Sequence, residues 1–144
     1  MHNTIKITGH LSLYIDGQLV ADHPNQVTNL GCEAIWGSVF GAAGYNIATM
    51  EGGTGTASPL ATDTALGTSV FTKAVTSVAL ATSKILEVTF DIIAGEATGV
   101  GFKEFGLFVA NGDMFARWCD GNTYTKTASP TNTIQGVWRF TLSN

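Results

Sequence analysis

The sequence predicts an all-β fold, an antiparallel β-sandwich carrying one short helix near residues 29–40. Three observations carry that expectation. Several segments alternate apolar and polar residues with a period of two. Gly, Asn and Asp stand in the short gaps where such segments would reverse direction. Only one stretch repeats its apolar residues at three- and four-residue spacing. At 144 residues the chain falls within the usual range of one domain, about 100–200 residues, so residues 1–144 are read as a single unit able to bury a sizeable core.

The first element is a hairpin over residues 5–21. Ile5, Ile7, Leu11, Leu13 and Ile15 alternate with Lys6, Thr8, His10, Ser12 and Tyr14, and Gly9 interrupts the pattern as a candidate bulge. Asp16-Gly17 is a two-residue turn signal, and residues 18–21 form a short return strand. The helix follows, because Ile35, Trp36, Val39 and Phe40 share one helical face behind Thr28 and Asn29, either of which can cap the first turn. This stripe is expected to pack on the sheet, and Gly41 and Gly44 are expected to end the helix. A long loop over residues 52–68 comes next, and the core strands lie within residues 70–142. Segments 70–80 and 84–93 read as one antiparallel pair, with Leu86, Val88, Phe90 and Ile92 on one face. Segments 100–109 and 114–118 read as a second pair around Asn111-Gly112. The last strand, 134–142, points Ile134, Gly136, Trp138, Phe140 and Leu142 inward.

Charged residues make up only 12% of the chain, against about 25% in a typical domain. Two explanations fit equally well: a surface shared with neighbouring molecules, or exposed faces covered by Thr, Ser, Asn and Gly. The net charge is −4 and the seven Lys and Arg are scattered, so the basic footprint needed for phosphate-backbone binding is missing and nucleic acid is not an expected partner. No run reaches the roughly 18 apolar residues of a membrane span, and the first ten residues lack the apolar region of a signal peptide, so neither a membrane nor a leader is expected. Cys32 and Cys119 read as two buried small hydrophobes, and sequence alone leaves a bridge between them undecided.

Catalytic chemistry finds no constellation here. His2, His10 and His23 cluster near the first hairpin without a Gly-x-Ser-x-Gly elbow. Glu96 and Glu104 flank one strand and are nominally a glycosidase pair, but Lys103 precedes Glu104 and Glu96 sits in a Gly-Glu-Ala turn. Metal-ligand spacings are absent. The expectation is a protein that is not an enzyme and binds no cofactor. The loop over 52–68 carries no cation and also lacks the Gly-Lys-[Ser/Thr] ending of a phosphate cradle. Its residues have conformational work instead: Gly52, Gly53 and Gly55 for positive φ, Pro59 for a fixed φ, and Asp63-Thr64 for an Asx-type turn.

That loop, together with Gly95-Glu96-Ala97-Thr98-Gly99, Lys103-Glu104-Phe105-Gly106-Leu107-Phe108 and Asn111-Gly112-Asp113-Met114-Phe115-Ala116-Arg117, resembles a family of small virion proteins of tailed bacteriophages. The resemblance covers roughly residues 27–140. It departs from the family pattern before the loop, where Met50-Glu51-Gly52-Gly53-Thr54-Gly55-Thr56 carries an extra polar residue. In such proteins the Glu of the Glu-x-Gly-Leu-Phe strand is a recurrent feature, which points to Glu104 as a buried or half-buried hydrogen-bonding residue. The resemblance implies a structural protein of the virion, assembled in the host cytoplasm. Its first form is a capsid decoration or cement protein on the outside of the head, and its second a tail-fibre, collar or baseplate component. The expected partners are the major capsid protein or another virion protein, and copies of the chain itself, a trimer before a dimer. A carbohydrate- or receptor-binding module is a further alternative, with Tyr14, Tyr45, Tyr124 and the three Trp residues as stacking candidates. The first hairpin and the loop are the expected contact segments, with Ile5, Ile7, Ser58, Pro59 and Leu60 as candidate contact residues, because both segments are expected to project from the sandwich without filling its core.

Overall fold

The chain opens on the hairpin that Asp16-Gly17 predicts. In the computed structural model, which describes residues 4–144, β1 (Lys6–Ile15) and β2 (Gln18–Val27) are joined by these two residues alone, at φ 51° and 80°. Two successive positive φ values give a type I′ turn, whose twist matches that of the strands it joins. β2 outruns the return strand expected over 18–21. Asp22-His23-Pro24-Asn25 reads as turn chemistry, yet these residues stay paired with Ser12, Leu11, His10 and Gly9. Gly9 forms no bulge; the irregularity of β1 falls between Leu13 and Tyr14. Gly9 is small because the Asn25 amide lies over it, where a Cβ would come within 2.0 Å of Oδ1. His2 lies outside the described residues.

The helix, α1 (Asn29–Val39), is capped by Thr28, whose hydroxyl accepts from the Gly31 N–H at 2.9 Å and satisfies one unpaired donor of the first turn. Gly41 and Gly44, both at positive φ, follow its end as expected. Its face is not as expected. The stripe meant for the sheet is turned outward: Trp36, Val39 and Phe40 are exposed and Ile35 is half-buried. The buried helix residues are Gly31 and Ala34, and a Cβ on Gly31 would stand 2.2 Å from the Phe115 carbonyl oxygen. The helix thus approaches the sheet backbone to backbone, which only its smallest residues permit.

The other strands are β3 (Ile47–Gly53), β4 (Ser69–Ala74), β5 (Ser77–Thr82), β6 (Ile85–Ile92), β7 (Gly101–Val109), β8 (Met114–Thr125) and β9 (Ile134–Ser143). All nine strands are antiparallel to their neighbours in the order β4-β3-β7-β8-β2-β1-β9-β6-β5. The fold is therefore all-β with one short helix, as predicted. The sheet curls at β2, which pairs with β1 as far as Asn25 and gives only Gln26 and Val27 to β8.

Segment 70–80, expected as one strand, is two. β4 pairs with β3 and β5 with β6, at opposite ends of the sheet. The link Val75-Thr76 spans the two ends: the Val75 N–H donates to Ala48 O at 3.1 Å and the Thr76 N–H to Thr89 O at 2.7 Å. β3 went unpredicted, and it takes Gly52 and Gly53 from the expected loop. β6, β7 and β9 lie where they are expected, except that Leu142 at the end of β9, expected inward, is exposed, while β8 continues to Thr125.

Inside the curl, aromatic rings from strands distant in the order meet: Phe90 of β6 and Phe105 of β7 at 5.3 Å between centroids, and Phe115 of β8 and Phe140 of β9 at 5.1 Å. Gly136, opposite Phe90 across the ladder, leaves room for that ring, since a Cβ there would lie 2.1 Å from it. Trp118 and Trp138 are fully buried, so two of the three tryptophans fill the core as expected. Cys32 is exposed, Cys119 is half-buried and both thiols are free, which corrects the expectation of two buried cysteines.

Candidate functional site

The loop over residues 54–68 is held to the sheet by one buried carboxylate. Glu104, on β7, has no solvent exposure. Its Oε1 accepts from the N–H groups of Gly55 and Thr68, both at 2.8 Å. Its Oε2 accepts from the Gly67 N–H at 3.0 Å and from Arg117 Nε and Nη2 at 3.2 and 2.8 Å. Both ends of the loop thus close on a single side chain. Arg117, on the neighbouring strand β8, carries the bonding outward: Nη1 donates to Asp63 Oδ2 at 2.8 Å and Nη2 to the Ala57 carbonyl at 3.0 Å. Asp63 Oδ2 also accepts from the Leu60 N–H at 2.9 Å, three residues back along the chain, where the Asx-type turn expected of Asp63-Thr64 would bond an N–H two residues on.

The electrostatics follow from that geometry. Burial works against the charge of Glu104, but the donated bonds of Thr68, Gly67, Arg117 and Gly55 outweigh it and hold the carboxyl below its ordinary range. Burial opposes the Asp63 charge too, and the Leu60 N–H and Arg117 overcome it, so that carboxyl is also lowered. Arg117, desolvated between the two carboxylates, is held above its ordinary value by their bonds and charges. The loop glycines serve this arrangement in a way other than expected. None of Gly52, Gly53 and Gly55 has positive φ. They are small because a Cβ on Gly53 or Gly55 would stand 2.6 or 2.4 Å from Glu104 Oε1, and one on Gly52 would stand 2.5 Å from the Phe102 ring.

Of the candidate contact residues, Ser58 and Leu60 are exposed at the pinned loop and Pro59 is half-buried beside them. Ile5 is exposed and Ile7 half-buried. Both border a cleft of about 470 Å³ that also takes in Ala61 of the loop and Cys32 of α1. The structure therefore brings the start of β1 to the flank of the loop, where the Asn29 N–H donates to Ala61 O at 2.8 Å. The rest of the first hairpin does not project. β1 lies between β2 and β9, and Leu11, Leu13 and Ala21 are core residues, so the expectation that this hairpin does not fill the core is corrected.

Sequence reasoning missed a second surface. Trp36 and Val39 on α1, Phe40 at its C-cap, and Val78 and Leu80 on β5 are all exposed, and Val39 and Val78 border one groove. The signal was present in the helical spacing, which was read as an inward face.

The two carboxylates of the nominal glycosidase pair are engaged in other contacts. Glu104 is bonded as above, and Glu96 is held below its ordinary range chiefly by Lys73, whose Nζ donates to it at 2.8 Å. His10 pairs with Asp22, and His23 lies 3.6 Å from Asp120. Among the described residues no group of three His, Cys, Asp or Glu side chains converges as metal ligands would. Of the stacking candidates, Tyr124 is buried and its hydroxyl, desolvated and bonded to Asp120, is pushed up to about 12. Tyr14 and Tyr45 are half-buried. Among the described residues no helix is long and apolar enough to cross a membrane. No protein-family model matches the chain, and neither a curated protein nor a solved structure matches it.

Proposed function

We propose that this chain is a structural protein of a tailed-bacteriophage virion, and within that class a decoration protein seated on the outside of the head against the major capsid protein, in self-associated copies. The observation that supports this reading is the meeting of three separate segments. Asp63 of the loop, Glu104 of the Glu-x-Gly-Leu-Phe strand and Arg117 of the segment after Asn111-Gly112 join in one network. The residues that carry the family resemblance are thus the residues that fix the shape of one exposed loop. Such a loop docks without first being ordered, which removes part of the entropic cost of binding. Repeated copies add avidity, and a subunit that binds only the assembled shell stabilises it by mass action. We read the curled sheet as a sandwich whose two layers are its two halves, a reading supported by Phe90 against Phe105 and Phe115 against Phe140.

Disassembly of particles tests the placement. The polypeptide is expected in the head fraction, and heads lacking it are expected to release DNA at lower temperature. Recovery with tails, or an unchanged release temperature, would move the chain to a tail-fibre, collar or baseplate role.

A further inference from the structure

We infer that copies of this chain meet through an apolar stripe running along the outer face of α1 and across to β5. The inference rests on the self-association in the reading above and gives it a surface.

Its parts meet at Val39, which borders the groove and has Trp36 and Phe40 as helix neighbours. Trp36 and Phe40, with ring centroids 6.4 Å apart, form a ridge on α1. Beside the ridge runs a groove of about 390 Å³, bordered by Val39 on one bank and Val78 on the other, with Ile35, Leu86 and Phe115 in common with a second hollow of about 150 Å³. That second hollow reaches Leu80 and Leu142. Lys84 is the one charged side chain among the residues bordering either hollow.

The area fits a subunit contact. Trp36 is 63% and Phe40 82% exposed, and since an aromatic side chain buries about 150–250 Å², these two leave roughly 300 Å² open. The largest apolar patch on a monomer is about 300–600 Å², and Val39, Val78, Leu80 and Leu142 extend this one toward the roughly 800 Å² that each partner gives to a standard interface.

The edge of the sheet adds a second argument. β5 is terminal in the strand order, exposed at all six residues and has no neighbour on its outer side among the described residues. An unpaired edge ordinarily carries Lys, Pro or an inward charge that blocks pairing with another chain. β4, the opposite edge, carries Lys73, whereas Ser77-Val78-Ala79-Leu80-Ala81-Thr82 has neither charge nor Pro. The occupant we assign is a second copy of this chain, because an edge strand with no blocking charge or Pro can pair antiparallel with the same strand of its copy about a two-fold axis, the self-complementarity of an isologous contact.

Sedimentation of the purified chain at micromolar concentration tests the surface without reference to any particle. The wild type is expected to associate, and Phe40→Ser combined with Leu80→Lys to weaken association about 30-fold or more, as loss of a hot-spot anchor does. Leu60→Lys in the loop should leave association unchanged. Amide exchange of the wild type at low and high concentration needs no substitution, and is expected to gain protection over 77–82 as concentration rises. A wild-type monomer would overturn the inference, as would a folded double variant that associates as well as the wild type, or protection over 77–82 that ignores concentration. A head location with a monomeric chain would leave the decoration reading standing and remove only this surface.

Discussion

Leu60 at the loop and Leu80 on β5 are exposed to similar degrees, 59% and 72%, yet the backbone behind them differs. The Leu60 N–H is bonded to Asp63, Asp63 to Arg117, and Arg117 to a fully buried Glu104. Behind Leu80 lies a strand paired on one side only, over a groove that no described residue fills. The loop is exposed because its shape is fixed from beneath, and the stripe because nothing covers it. An exposed leucine alone does not tell a rigid binding feature from an unfinished interface; the polar bonding under it does.

Removing the pin should break that comparison most strongly. In Glu104→Gln the new amide must present N–H groups where the carboxylate accepts five donated bonds, and Arg117 loses its buried counter-charge. Unfolding in denaturant is expected to register a loss of about 3–5 kcal/mol. Acid should act on the same network. The carboxyls of Glu104 and Asp63 are lowered in the folded state, so their contribution is fully present above the ordinary carboxylate range and is lost as pH falls through the folded values. Thermal melts from pH 7 to pH 3 should show this decline, and the Glu104→Gln variant should show less of it.

Smaller effects sharpen the contrast. Gly55→Ala places a Cβ against the Glu104 carboxylate and should destabilise by about 1–3 kcal/mol, whereas Gly17→Ala meets no atom and suffers only from its positive φ. Replacing Ser58-Pro59-Leu60 by glycines should leave the chain folded, with a loss of about 1 kcal/mol from the freed proline, and should lower particle occupancy. On the stripe, Phe40→Ser in dilute solution should change stability by no more than about 0.5 kcal/mol, as melting below the association range would register.

Local signals in the sequence were legible and long-range ones were not. The first turn, the helix cap and the alternation of β6, and of β9 as far as Phe140, are set within a few residues, and each appears where the sequence places it. Glu104 was legible as a buried hydrogen-bonding residue through its strand motif, but its partners were not, because Arg117 lies 13 residues away and Asp63 another 54 from Arg117. The break between β4 and β5 carries no Gly or Pro: Val75 and Thr76 at its centre are strand formers, and only the two ends of the sheet decide that the chain must change partners. β3 was hidden by Gly52-Gly53, which read as loop and serve as space for Phe102 and Glu104. The helix was read inside out because spacing identifies a stripe without saying what faces it; Gly31 and Ala34, too small to mark a face by hydrophobicity, made the contact.

The place of β9 bears on how the protein is made. This strand is the last of the nine described strands in chain order, yet it lies inside the sheet, paired with β1 from Lys6 to Ile15 on one side and with β6 on the other. Until it emerges in synthesis, the two strands that flank it have no ladder between them, and the Phe115 ring lacks the Phe140 that packs on it. The nascent chain therefore waits with open edges and apolar faces, the condition in which slow, non-local β-proteins aggregate. Its paucity of charge gives it little repulsion for that interval, so production of soluble protein should depend on how quickly the final strand follows the rest.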